Sequence, residues 1–241
     1  SSGTTPIVPD PIPDPEPVIP ISYSGSVIKG PLENALVFLD YDGDGVLGAD
    51  EPSVRTNSDG SFSVEGNVEG LGFVAQTDST TVDTSSGEVL DNVVLKAPSG
   101  SSVVTPATTI MEEAGITKEE VSAVLGLPEG VDPTSFNPYS ADADPEVALA
   151  VEKVSQQVMT TITAVSSAVE GAGASSAEAF AVALETVVEV VKEKAAVVQE
   201  DPAAVVEVLD FSKTEEIAAV TEKVSAKIEE QGIATKEDFE T

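Results

Sequence analysis

The chain has 241 residues and sets 43 Asp and Glu against 11 Lys and Arg, a formal net charge of −32. So few cations make nucleic acid and anionic membrane surfaces poor partners, because both need clustered positive charge; dissolved cations are the natural counterpart. There is no His and no Cys, which excludes thiol, Ser-His and Cys-His nucleophiles, the usual zinc sites and a disulfide framework.

Residues 1–21 read as a linker. Pro6, Pro9, Pro11, Pro13, Pro15, Pro17 and Pro20 recur about every second residue, with Asp10, Asp14 and Glu16 between them. Such a segment favours extended polyproline II and acts as a semi-rigid spacer. Its end adds apolar Val18, Ile19, Ile21 and Tyr23, which suit docking along a sheet edge, the chain's own or a neighbour's. Residues 22–98 read as short strands with turn punctuation. Strands are expected at 23–29, 35–39, 53–56, 61–65, 72–76 and 92–96. Asn57-Ser-Asp59-Gly60 predicts a hairpin turn between the third and fourth of these.

The strand at 35–39 feeds the most specific motif of the chain. Residues 40–51 fit the pattern D-x-D-x-D-G-x₅-E without a gap. Calcium is a hard cation that takes about six to eight oxygens, and carboxylates on alternate residues of a tight loop can converge on it. Asp40, Asp42 and Asp44 fill loop positions 1, 3 and 5. Gly45 permits the sharp turn, Val46 offers its backbone carbonyl, Gly48 leaves room for a water, and Glu51 closes the site with both carboxylate oxygens. The expected cofactor is therefore calcium, in a loop entered from a strand rather than from the helix of an EF-hand.

This half of the chain carries a resemblance. Gly25, Val27, Gly30, Pro31, Leu32, Ala35 and Val37 to Asp40, then Thr56, Asp59, Gly60, Phe62 and Val64, resemble the prealbumin-like sandwich repeats of bacterial surface proteins, of the Cna-B and carboxypeptidase-regulatory-like types. The loop resembles dockerin-type calcium loops. The resemblance covers residues 22–98 and implies a β-sandwich of the kind used in stalks, spacers and adhesive modules. Lys29 and Asn92 do not form a motif that carries over the Lys–Asn isopeptide bond of Cna-B modules.

From about residue 104 the apolar period becomes helical. Thr105-Pro106 opens a short helix through Met111, and Thr117-x-x-Glu120 is a capping box. Asp144-Pro145 starts a long helix with a stripe of Val147, Val151, Val154, Val158, Ile162, Val165 and Val169. Gly171-Ala-Gly173 breaks it. Ser175-x-x-Glu178 caps the next helix, striped by Phe180, Leu184, Val187, Val191 and Val198. Ser212-x-x-Glu215 caps the last, striped by Ile217, Val220, Val224 and Ile228. Three helices with single apolar faces bury them against each other, and residues 99–241 resemble the helical segments that follow such sandwiches in large secreted adhesins.

The expectation is an α+β protein, an N-terminal calcium-binding β-sandwich followed by a C-terminal α-helical bundle. Without catalytic residues, and only 4% aromatic where paired-carboxylate glycosidases need sugar platforms, the chain reads as non-enzymatic. It is expected to be a secreted, extracellular structural or adhesive protein of a bacterial cell surface. Its partners would be calcium, further copies of itself or other surface proteins, with no nucleic acid and no membrane span. The alternative is a lipid-anchored lipoprotein that binds a small ligand or a partner protein. Residues 1–5 before the Pro-rich spacer resemble the segment that follows the lipidated Cys of such proteins, although no Cys is present.

Overall fold

The computed structural model describes residues 2–17, 19–201, 203 and 207–232. Residues 2–17, 19 and 20 form no strand or helix and lie exposed. Val18 is outside the described residues. The first strand, β1 (Ile21–Val27), starts two residues earlier than expected and takes in Ile21 and Tyr23. These two apolar residues are thus part of the chain's own sheet and not of a free tether.

Among the described residues nine further strands follow: β2 (Leu32–Glu33), β3 (Leu36–Phe38), β4 (Ser53–Arg55), β5 (Ser61–Gly66), β6 (Phe73–Gln76), β7 (Val82–Asp83), β8 (Glu88–Val89), β9 (Val94–Ala97) and β10 (Val103–Val104). They form three sheets, in the orders β10-β1-β5, β4-β3-β6-β9 and β2-β7-β8. β1 runs antiparallel to β5, with Gly25 opposite Phe62, and parallel to β10. Gly25 is required there: a Cβ would lie 2.8 Å from the Ser102 carbonyl oxygen and 3.0 Å from the Phe62 ring.

The hairpin expected across Asn57–Gly60 does not form. The turn is made, with the Gly60 amide donating to the Asn57 carbonyl at 3.0 Å. Its flanking strands then part, β4 pairing with β3 and β5 with β1 in another sheet. The chain passes here from one sheet to another, and turn chemistry does not reveal whether the strands on either side pair. The two larger sheets meet through aromatic rings: Phe62 of β5 packs edge-to-face on Phe73 of β6, centroids 4.9 Å apart, a favoured geometry.

Five helices follow among the described residues: α1 (Pro106–Ala114), α2 (Lys118–Leu125), α3 (Pro145–Gly171), α4 (Ser176–Glu200) and α5 (Thr214–Gln231). Capping explains four of the starts. Thr105 and Thr108, then Thr117 and Glu120, exchange reciprocal capping bonds, while Asp144 and Ser175 accept first-turn amides. The fifth is a correction. Ser212 does not cap α5; its hydroxyl donates to Asp210 at 2.6 Å and the helix starts after Lys213 without a side-chain cap.

The Asp210–Ser212 arrangement is one of a set. In Asp59/Ser61, Asp78/Thr80, Asp83/Ser85, Asp132/Thr134 and Asp210/Ser212, the carboxylate accepts both the amide and the hydroxyl of the second residue on. Part of the chain's acidity is therefore turn chemistry. The hydroxyl bond is the main reason that Asp59, Asp78, Asp132 and Asp210 sit below the ordinary carboxylate value. At Asp83 burial pushes upward, and the Ser85 hydroxyl and Lys29 ammonium outweigh it.

α1 joins strands to helices. The Thr108 hydroxyl donates to the Lys96 carbonyl at 2.7 Å, and the Lys96 amide donates to the Thr109 hydroxyl at 2.9 Å. These bonds cover the outer edge of β9, which would otherwise expose unpaired backbone groups. α4 then packs against α1, α2, α3 and α5. It buries Val182, Ala183, Thr186 and Val190 besides Phe180, Leu184, Val187 and Val191, so its apolar surface is wider than the single expected stripe. Ile217 of α5, expected to be buried, is 50% exposed. One apolar cluster runs from the strands through Ile110 of α1 to Val187 and Ile228. No helix among the described residues is long and apolar enough to cross a membrane.

A pH dependence follows from the lowered carboxyls. Asp78 is lowered from 3.8 to about 2, first by the Thr80 hydroxyl and then by Arg55 at 2.7 Å. A group whose pKa is depressed by folding stabilises the protein above its unfolded value and loses that contribution as pH falls through the folded value. Asp78→Asn is expected to lower the urea midpoint at pH 7 and to lower it much less near pH 2, where most of the contribution is gone. An equal difference at both pH values would show that charge at Asp78 is irrelevant.

Candidate metal centre

Residues 39–52 connect β3 to β4. The pairing of Phe38 with Ser53, and the Leu39 amide on the Pro52 carbonyl at 3.1 Å, pin the base of the connection. Asp40 leaves the sheet half-buried, Asp42 and Asp44 are exposed, and Glu51 is only 8% exposed. Gly43 and Gly45 adopt φ of +73° and +75°, left-handed values that a side chain would strain. One carboxylate oxygen from each of Asp40, Asp42, Asp44 and Glu51 lies within 4.8 Å of the others. The structure thus brings together the four side chains that the motif singles out.

Backbone amides fix those carboxylates. Asp40 accepts from Gly43 at 3.0 Å and from Gly45 at 2.7 Å, Asp42 from Asp44 at 3.2 Å, and Asp44 from Val46 at 2.8 Å. Glu51 accepts from Gly48 at 2.6 Å and from Tyr41 at 2.5 Å, one amide per oxygen. Each Asp side chain thus bonds to its own following turn, which sets the local shape of the loop. Val46, proposed to contribute through its carbonyl, has its side chain 62% exposed and its amide on Asp44.

The charges are not evenly held. Burial raises the Asp40 carboxyl, but the Gly45 and Gly43 amides and neighbouring carboxyls bring it below its ordinary value. At Asp42 the Asp44 amide pulls downward, yet crowding by the Asp40 and Asp44 carboxyls leaves it above the ordinary value. Like charges at this distance disfavour joint ionisation, and a divalent cation removes that conflict. The side-chain donors are all oxygens, a set that suits calcium better than zinc or copper.

Two further groups at the loop have no signal in the local sequence. The Tyr41 hydroxyl accepts the Asn67 amide at 3.2 Å and ties the loop to the end of β5. The Lys96 ammonium, held by Glu113 at 2.6 Å, lies 3.7 Å from where a Cβ on Gly45 would sit. Asp44 and Gly45 form one side of a cleft of about 510 Å³, whose other walls include Gln76, Asn92, Lys96 and Phe180. Compared with known proteins, the chain matches no family model, no curated protein and no solved structure.

Proposed function

We propose that the chain is a non-enzymatic, calcium-binding structural or adhesive protein of a bacterial surface, secreted and assembling into filaments or matrix. The observation that carries this reading is the convergence of Asp40, Asp42, Asp44 and Glu51 on one point of an amide-braced loop. Calcium bound there, with the Val46 carbonyl as a fifth ligand, would clamp the β3–β4 connection. Millimolar external calcium suits such a site, and this favours an extracellular setting. We read the two larger sheets as a prealbumin-like β-sandwich, a reading that the Phe62–Phe73 contact between them supports. We read α3, α4 and α5 as a bundle packed around α4.

Titration calorimetry tests the metal assignment. The protein is expected to bind one calcium, and Asp42→Ala combined with Asp44→Ala is expected to abolish the heat. Unchanged stoichiometry in the double variant would refute the assignment. The cleft beside Asp44 favours a second reading, in which a lipid-anchored form of the chain binds a small ligand. Negative-stain microscopy with and without calcium separates the two, fibres supporting the first and monodisperse particles the second.

A further inference from the structure

In β1 the Ser26 amide donates to Ser102 at 3.0 Å and the Ile28 amide to Val104 at 2.9 Å, both towards β10, whereas the Val27 amide donates to Gly60 at 2.8 Å. Even-numbered residues of β1 therefore turn their backbone groups to β10, and odd-numbered ones to β5. Through the pairing of Gly25 with Phe62 and Tyr23 with Val64, Phe62 and Val64 face β1, and Ser63 and Glu65 face outward. β5 pairs only with β1 among the described residues. The other edges are shorter or covered: β4 has three residues and β8 two, β9 is capped by α1, and the amides of Ser102 and Val103 reach the Thr134 carbonyl. Among the described residues β5 is thus the longest outermost strand left uncovered along its length; on β1 only the stretch at Ser22 and Ser24, beyond the reach of β10, is open in the same way.

The segment preceding β1 has a matching property. Pro9, Pro11, Pro13, Pro15 and Pro17 alternate with Val8, Asp10, Ile12, Asp14 and Glu16. In an extended chain the N–H and C=O of one residue point the same way, and the direction reverses at each residue. All N–H donors from 8 to 16 then lie on one edge, and the opposite edge has none. Such a strand pairs on one side only and presents a blocked edge to everything else. The segment is not laid on its own sheet: Ile7, Val8 and Ile12 are 95%, 81% and 92% exposed. Nine residues of extended strand reach roughly 30 Å, more than the roughly 20 Å of a six-residue strand.

We propose that residues 8–16 of one copy add as a strand to the open edge of β5 in a second copy, through the backbone groups of Ser63 and Glu65. This deepens the filament reading above and rests on it. The contact is head-to-tail and does not close on itself, so it propagates. Asp10, Asp14 and Glu16 approach Glu65 on a strongly anionic chain, so association strengthens with ionic strength or calcium.

The chain has no Cys, which makes introduced thiols unambiguous. Full-length Ile12→Cys mixed with full-length Ser63→Cys is expected to give a disulfide-linked heterodimer under mild oxidation. Ile12→Cys mixed with Val89→Cys, on exposed β8, is expected to give at least about tenfold less, as backbone hydrogen bonds fix the register. Asp10→Pro with Asp14→Pro deletes two N–H donors and two negative charges. It is expected to weaken self-association about tenfold or more, while Pro11→Ala with Pro13→Ala leaves it intact. Equal cross-linking at Ser63 and Val89, or a disulfide formed within a dilute chain carrying both Ile12→Cys and Ser63→Cys, would overturn the second-copy strand. If the protein polymerises and the double proline variant polymerises equally well, the filament reading stands and the strand addition falls. If the full chain stays monomeric at high concentration in calcium and salt, both fall.

Discussion

Millimolar calcium added to chelator-treated protein is expected to raise its melting temperature by about 5–10 °C. An ion that binds only the folded chain stabilises it by RT ln(1 + [L]/Kd), about 2.7 kcal/mol at a hundredfold excess over Kd. For a chain of this size each kcal/mol moves the midpoint by roughly 2–4 °C. The loop has reason to respond. Four carboxylates share one small volume, and Glu51 is buried with its charge satisfied by only two amides. Among the described residues most acidic groups have no counterion in the protein, because only eight Lys and Arg side chains there form ion pairs. Magnesium, which keeps its waters and demands tighter octahedral geometry, is expected to give a smaller rise. Glu51→Gln retains the shape of the side chain and is expected to lose most of the calcium response. Identical melting curves in chelator and in calcium would show that the loop has no structural metal.

The features legible in the sequence are those whose chemistry is local. Thr105, Thr117, Asp144 and Ser175 each announce a helix start, because the cap and its partner lie within three residues. The loop at 40–51 is legible for the same reason: position 1 to position 12 is one contiguous segment. Local chemistry also misleads. Ser212 has a capping partner in Glu215 and a turn partner in Asp210, and the turn wins. The Asp-x-Ser/Thr turns were readable as a repeated pattern but are hidden by the general acidity. Pairing is not local. Nothing around Asn57–Gly60 records that β5 has a better partner in β1, some 40 residues upstream. The two-residue strands β2, β7, β8 and β10 are too short to show a period. The approach of Lys96 to Gly45 depends on α1 holding the Lys96 backbone, which no spacing expresses. The width of the buried surface on α4 depends on four neighbouring helices, whereas a stripe counts only one face.

Sheets and helices are expected to unfold together. Ile110, fully buried, sits on α1, the element that packs against both β9 and α4. Ile110→Ala removes three carbons from that junction and is expected to cost about 2–5 kcal/mol, the transfer free energy of the lost methylenes plus the residual cavity. The informative quantity is how the loss is distributed. Far-UV circular dichroism follows α3, α4 and α5, which hold most of the regular structure. With Tyr139, between α2 and α3, replaced by Phe in both proteins, tyrosine fluorescence follows the sheets through Tyr23, which donates to the Val68 carbonyl at 2.5 Å, and Tyr41, which accepts the Asn67 amide. If the apolar cluster is one cooperative unit, the two probes give coincident urea transitions, and Ile110→Ala moves both to the same lower midpoint with an unchanged slope. Residues 22–98 and 99–241 would then be one unit joined by α1. If they are separate domains joined by a small contact, the curves separate, and the variant lowers the helical transition while leaving the tyrosine transition in place. The hydroxyl bonds of Thr108 and Thr109 to Lys96 favour the first outcome, because α1 cannot leave without exposing the edge of β9.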